Sequence, residues 1–154
     1  MSRVAQRRAQ AMSEPMIRRY SEVDVGASLG ELVVEVTRAD LVRYAGASLD
    51  FNPIHWSDRA AERAGLPDVI AHGMLTMALA SRLVTNWAGD PGAVRSYSVR
   101  FSAVVTVPPD GSSRITVSGS VIDKLDDKRV AADLVVRSAA RQVLKNVHLT
   151  IQLG

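Results

Sequence analysis

The apolar positions of this chain change period as it runs. Tyr20 to Gly26 reads as a loop ending in a turn. Glu31-Leu-Val-Val-Glu-Val36 is rich in β-branched residues and predicts a short strand. Thr37 then offers an N-cap hydroxyl, with Asp40 in the capping-box position usually held by Glu or Gln. A helix from Arg38 to about Ala47 is expected, with Leu41, Val42, Tyr44 and Ala45 at helical spacing. Pro53 biases Asn52 away from helix, so Ser48 to Trp56 predicts an ordered loop or single turn. Ser57 caps a short helix from Asp58 to about Ala64, stopped by Gly65. Gly73 to Ala88 is apolar almost all round, which predicts a long buried helix. Gly89-Asp-Pro-Gly92 ends it. Strands then follow at Ser96–Val107, Ser113–Ile122, Val130–Val136 and Gln142–Leu153. Pro108-Pro-Asp-Gly111 and Leu125-Asp-Asp-Lys-Arg129 turn the chain between them. Consecutive strands with short turns imply an antiparallel sheet, and an apolar helix ahead of them needs a sheet to wrap it. The fold class is α+β.

Composition changes this picture little. At 154 residues the chain suits one domain, expected over 17–154, after a disordered tail at 1–16 that Met12 or Met16 could replace as the start. There are no cysteines, hence no disulfide framework and no thiol nucleophile. The net charge of +3 suggests nucleic acid until it is located. Arg3, Arg7 and Arg8 stand against Glu14 in the first 15 residues, leaving 16 basic and 15 acidic groups in the remainder. A nearly balanced body offers no basic face for nucleic acid. No stretch of about 18 apolar residues predicts a membrane span, and no signal-peptide core is visible. A cytoplasmic location is the simplest expectation.

Chemistry concentrates in two segments. In Asp50-Phe-Asn-Pro-Ile-His55 a carboxylate and an imidazole sit five apart across a proline-stiffened loop. Both can point at one water or hydroxyl, and acid–base groups must lie within hydrogen-bond reach of the proton they move. Histidine titrates near working pH, while an ionised Asp only accepts hydrogen bonds and so holds the water. The second segment, Ala71-His-Gly-Met74, opens the long helix. Free N–H groups at Gly73 and the helix dipole suit a developing oxyanion.

These residues carry a resemblance. Tyr44-Ala-x-x-Ser-x-Asp-x-Asn-Pro-Ile-His55, Ile70-Ala-His-Gly-Met-Leu75 and Val99-Arg-Phe-Ser102 resemble the MaoC-like, or (R)-specific enoyl-CoA hydratase, family over about Ile17 to Leu153. Gly89-Asp-Pro-Gly-Ala-Val94 looks like the catalytic subunits of type II fatty-acid-synthase dehydratases within it. The resemblance implies a single hot-dog fold, a long central helix wrapped by antiparallel strands, in an obligate dimer. It implies a (3R)-hydroxyacyl-thioester dehydratase or enoyl-thioester hydratase acting on acyl-CoA or acyl carrier protein. It implies that Asp50 orients water, His55 moves the proton, the Gly73 amide holds the thioester oxygen and Asn52 supports the loop. It implies no metal and no cofactor. The family often has Gly before the catalytic Asp; here Leu49 stands there, which could reshape the loop or narrow the tunnel mouth.

Plainer roles exist for several residues. Asp50 and Asn52 could simply build a turn, and His55 could be structural. His72 could be a second catalytic group, although shaping the loop through its hydrogen bonds is favoured. His148 reads as surface or structural, Met74, Met77 and Trp87 as core, and Arg100 as a solvated or interface charge. A substrate-shaping subunit that pairs with a catalytic sibling usually lacks the Asp/His pair, which this chain has. A hot-dog thioesterase wants a carboxylate near the helix start, and Ala71–Ala80 contains none. The partner implied is a second hot-dog chain, identical or not.

Overall fold

Thr37 starts the first helix in the way its neighbours predict. Its side chain accepts from the Asp40 amide while the Asp40 carboxylate accepts from the Thr37 amide, a reciprocal capping box. The Thr37 hydroxyl also donates to that carboxylate at 2.6 Å; this bond first, and the Thr37 amide's second, hold the Asp40 carboxyl below its ordinary value. A computed structural model describes residues 16–154, so the expected tail, Met16 excepted, lies outside the described residues.

Strand β1 (Ser28–Val36) leads into helix α1 (Arg38–Ser48). A one-turn 3-10 helix at Pro53–His55 and the short helix α2 (Asp58–Arg63) follow. Helix α3 (Gly73–Ala88) then precedes β2 (Val94–Phe101), β3 (Ser113–Leu125), β4 (Arg129–Ser138) and β5 (Arg141–Gln152). The strands form one antiparallel sheet in the order β1-β3-β4-β5-β2. This is the α+β hot-dog arrangement. The core lies between α3 and the sheet, with Ala80 and Val84 against residues such as Ile115, Val117, Val136 and Ile151.

Three expectations change. The first late strand ends at Phe101 rather than Val107. Residues 103–107 leave the sheet and run beside Val69–Ala71, where Ala71 donates to the Val105 carbonyl and Val107 to the Val69 carbonyl. Second, β2 does not hairpin with β3; it pairs with β5. Third, α3 is buried along one face only. Thr76, Ala80, Leu83, Val84 and Ala88 face the sheet, whereas Met74 is 56% exposed rather than core. Alanines at this spacing let a helix lie close to a sheet, but a single sheet covers only one side of it.

Two contacts tie α3 to its surroundings. The Tyr97 hydroxyl on β2 donates to the Met77 carbonyl at 3.1 Å. Burial pushes this phenol up to about 12, so it stays a donor. At the far end Gly89 takes φ 72° as the left-handed C-cap, and a Cβ there would lie 2.6 Å from the Met16 carbonyl oxygen.

Candidate active site

The loop after α1 delivers Asp50. Leu49 ends the helix at φ 61°, a left-handed cap that usually falls to glycine. Its side chain is 76% exposed and lines none of the cavities around Asp50, so the departure from the family pattern strains the backbone rather than narrowing a tunnel. A left-handed non-glycine residue costs about 1–2 kcal/mol. Leu49→Gly is therefore expected to raise stability by about 1 kcal/mol in urea unfolding; an unchanged or lower midpoint would contradict the strain.

Asn52 caps the 3-10 turn that carries His55, its carbonyl oxygen accepting from the Ile54 amide at 3.3 Å. Its own amide donates to Asp50 Oδ1 at 3.2 Å. Asn52 thus shapes the loop and does not line the cavity at Asp50. The turn drives His55 inward, to 7% exposure. Its Nδ1 lies 2.7 Å from the Ile70 carbonyl oxygen. A carbonyl only accepts, so Nδ1 carries the proton and Nε2 keeps a free lone pair. That Nε2 faces Asp50 Oδ2 at 3.9 Å, too far for a direct hydrogen bond and right for one bridging water.

His72 precedes α3 and is buried. Its ring stacks on His55, with centroids 3.7 Å apart and planes at 23°, and meets Tyr44 on its other side at 4.9 Å. Nε2 of His72 bonds the Asp50 backbone carbonyl at 3.1 Å. Burial pushes the His72 pKa below its ordinary value; the Asp50 carbonyl bond opposes this, the His55 charge assists it and the Asp50 charge opposes it. Unfolded chains bind this proton at a higher pH than folded ones, so the contribution is present above about pH 6.5 and is lost as pH falls. Unfolding free energy is expected to drop as pH falls below about 6.5, with a shallower slope in His72→Phe; equal slopes would reject the assignment.

Gly73 opens α3. Among the described residues, the amides of Gly73, Met74 and Leu75 have no partner on the chain, and no side chain caps this end. Gly73 and Met74 line a cavity of about 320 Å³ together with Tyr44, Ser48, Asp50, His72 and Phe101. A side chain at Gly73 would meet the Phe101 ring at 3.0 Å. Behind Phe101, a smaller cavity of about 130 Å³ reaches His55, Ile70 and Thr76. A further groove, about 380 Å³, adjoins this site through Tyr44 and runs between β1, α1 and α3.

The structure brings Asp50, His55, His72 and Gly73 together and keeps Asn52 one step behind. Ile70, Tyr44 and Phe101 stand inside the segments that carry the resemblance, but the sequence assigned no individual contact at the acid–base pair to any of them. No local signal marks Ile70, because it acts through its carbonyl. His148 lies on β5, away from this cavity, where its Nδ1 meets Asp133 at 2.5 Å.

Asp50, His55 and His72 offer ligand atoms within 4.8 Å of one another. Imidazole lone pairs lie in the ring plane, however. With the two rings stacked, centroids 3.7 Å apart and planes at 23°, their in-plane lone pairs run alongside one another rather than converge on a point about 2.1 Å from both, as a shared Zn–N geometry needs. One ion cannot take both imidazoles unless the stack opens.

Fold and site together define a single hot-dog domain with a buried histidine and a carboxylate poised over the start of its central helix. The chain belongs to the MaoC-like family: the MaoC like domain matches residues 21–140. It is 47% identical over 76 residues to 3-hydroxyacyl-thioester dehydratase X of Mycobacterium tuberculosis, covering 49% of this chain and 26% of that protein. It is 29% identical over 106 residues to the (R)-specific enoyl-CoA hydratase of Rhodospirillum rubrum, covering 68% of this chain and 73% of that one. A solved MaoC-like dehydratase superposes with a TM-score of 0.84 at 36% identity, over 90% of this chain and 43% of its own. The chain thus spans about a quarter of the first relative and under half of the solved one.

Proposed function

We propose that this chain hydrates trans-2-enoyl thioesters and, in reverse, dehydrates (3R)-hydroxyacyl thioesters carried by CoA or acyl carrier protein. The observation that supports this most is the pairing of a free His55 Nε2 with Asp50 Oδ2 across 3.9 Å, beside the unpartnered Gly73 amide. A water held between them donates one hydrogen to each. Its oxygen attacks C3 while His55 Nε2 takes a proton. The C2–C3 π pair moves onto the thioester oxygen, which the Gly73 amide and helix dipole hold. The enolate then collapses and takes a proton at C2 from the His55 imidazolium. Both new bonds form on the face where His55 stands, so addition is syn and His55 ends as it began. No redox step occurs, and dehydration reverses the sequence.

A second hot-dog chain, identical or sibling, belongs to this proposal. Met74, Phe101 and Val104 line the cavities at this site, and Leu49, Phe51 and Trp56 flank Asp50 and His55 in the chain, all at 41–76% exposure. Among the described residues the nearby β2 edge pairs with β5 alone. A free edge beside such apolar residues invites a partner. No helix among the described residues is long and apolar enough to cross a membrane.

The test is loss of the conjugated-thioester absorbance with crotonyl-CoA and a medium-chain trans-2-enoyl-CoA. Hydration by the chain, alone or with a second hot-dog subunit, supports the proposal. Release of free thiol without hydration would assign a thioesterase instead, against the lack of an acidic residue in the first turn of α3. An inert, folded dimer with either carrier would reject it.

A further inference from the structure

His72 has more contacts with the acid–base pair than a loop support needs. Its Nε2 faces a carbonyl oxygen, so that nitrogen carries the hydrogen. Its Nδ1 is fully buried and has no hydrogen-bond partner among the described residues. In the neutral ring this atom is a bare acceptor; in the cation it would be a buried donor with no acceptor, which is costlier. The groups facing the ring are His55 on one side, Tyr44 on the other and Asp50 at its edge. Of these, none offers Nδ1 a bond.

We propose that His72 is a positioning residue, held neutral, that sets both members of the pair at once: its N–H fixes the backbone of Asp50 and its face carries the His55 ring. This rests on the hydratase reading above. The physical logic concerns charge during turnover. His55 becomes a cation when it takes the water proton. A neutral π-face at 3.7 Å attracts that cation, whereas a second imidazolium there would repel it. The N–H tie to Asp50 meanwhile fixes the carboxylate at the opposite side of the water. A displacement of about 1 Å in such a pair costs about 100-fold in rate.

Two substitutions separate the two functions. His72→Gln keeps an N–H donor within reach of the Asp50 carbonyl and removes the aromatic face. His72→Phe keeps the face and removes the donor. Steady-state kinetics on a trans-2-enoyl-CoA would be measured across pH for both and for wild type. The expected result is a fall in kcat of about 10-fold to 100-fold in each, with KM within about threefold. The acid limb of kcat against pH is expected to shift in the Gln variant, which has lost the stacked face. Thermal unfolding identifies a variant that fails to fold, and the remaining one then decides. A kcat within twofold of wild type in a folded variant, or a rise in KM alone, would overturn the positioning role. Wild type inactive on every enoyl thioester would overturn the hydratase reading, and the role in that reaction with it; the two failures are thus distinct.

Discussion

His55→Ala is expected to lower kcat/KM for hydration by about 100-fold to 10,000-fold, the usual worth of a positioned acid–base group. The magnitude follows from the lack of a substitute. His72 is the nearest imidazole, but its Nε2–H is committed to Asp50 and its Nδ1 is sealed from solvent. Asp50→Asn is expected to fall in the same range. It keeps an oxygen acceptor but loses the charge that steadies both the water and the imidazolium. Because the two act on one water, the double variant should be little worse than either single one. The measurement is the loss of enoyl-thioester absorbance, with thermal unfolding alongside. That control matters, since removing the His55 ring leaves the Ile70 carbonyl unpaired, at about 1–3 kcal/mol of stability. Activity within fivefold of wild type in folded His55→Ala would remove it from the chemistry.

Gly73→Pro is expected to lower kcat by about 100-fold to 1,000-fold, the cost of one oxyanion donor. The position is unusually suited to this test. Gly73 is the first residue of α3, where proline is well tolerated because its missing N–H would be unpaired in any case. The residue before a proline must be extended, and His72 already has φ −58° and ψ 134°. The helix should therefore survive while the amide is lost. Gly73→Ala is the control. It keeps the N–H and adds the Cβ that meets Phe101 at 3.0 Å, a contact with the half-exposed end of a side chain that can swing aside. A large loss in Pro with a small one in Ala would support the Gly73 amide as the oxyanion donor. Equal losses would assign the effect to crowding instead.

Much of the frame is legible in the residues because its causes are local. Thr37 and Asp40 cap each other, Asn52 and Pro53 build their own turn, and Gly89 stops α3 through its own backbone freedom. Asp127 and Lys128 turn the β3–β4 hairpin at positive φ. The acid–base candidates are legible for the same reason, being five residues apart on one stiff loop.

Where the sequence fell short, the cause is non-local. β2 and β5 pair although β3 and β4 lie between them in the run from Phe101 to Arg141, and a strand carries no label for its distant partner. Residues 103–107 look like strand but hydrogen-bond to Val69–Ala71, a choice made by the loop they meet. Met74 reads as core because its neighbours are apolar, yet one sheet covers only one side of α3.

By itself, then, the sequence determined the elements, their caps, the α+β class and the Asp50–His55 and Gly73 candidates, because each depends on residues within a few positions. Only the tertiary structure decided the strand order, the Ile70 carbonyl that sets the His55 tautomer, the His72 stack and Phe101 over Gly73. Those arise where segments far apart in the chain are pressed together by burial, and the choice among such contacts is made by packing rather than by any local preference.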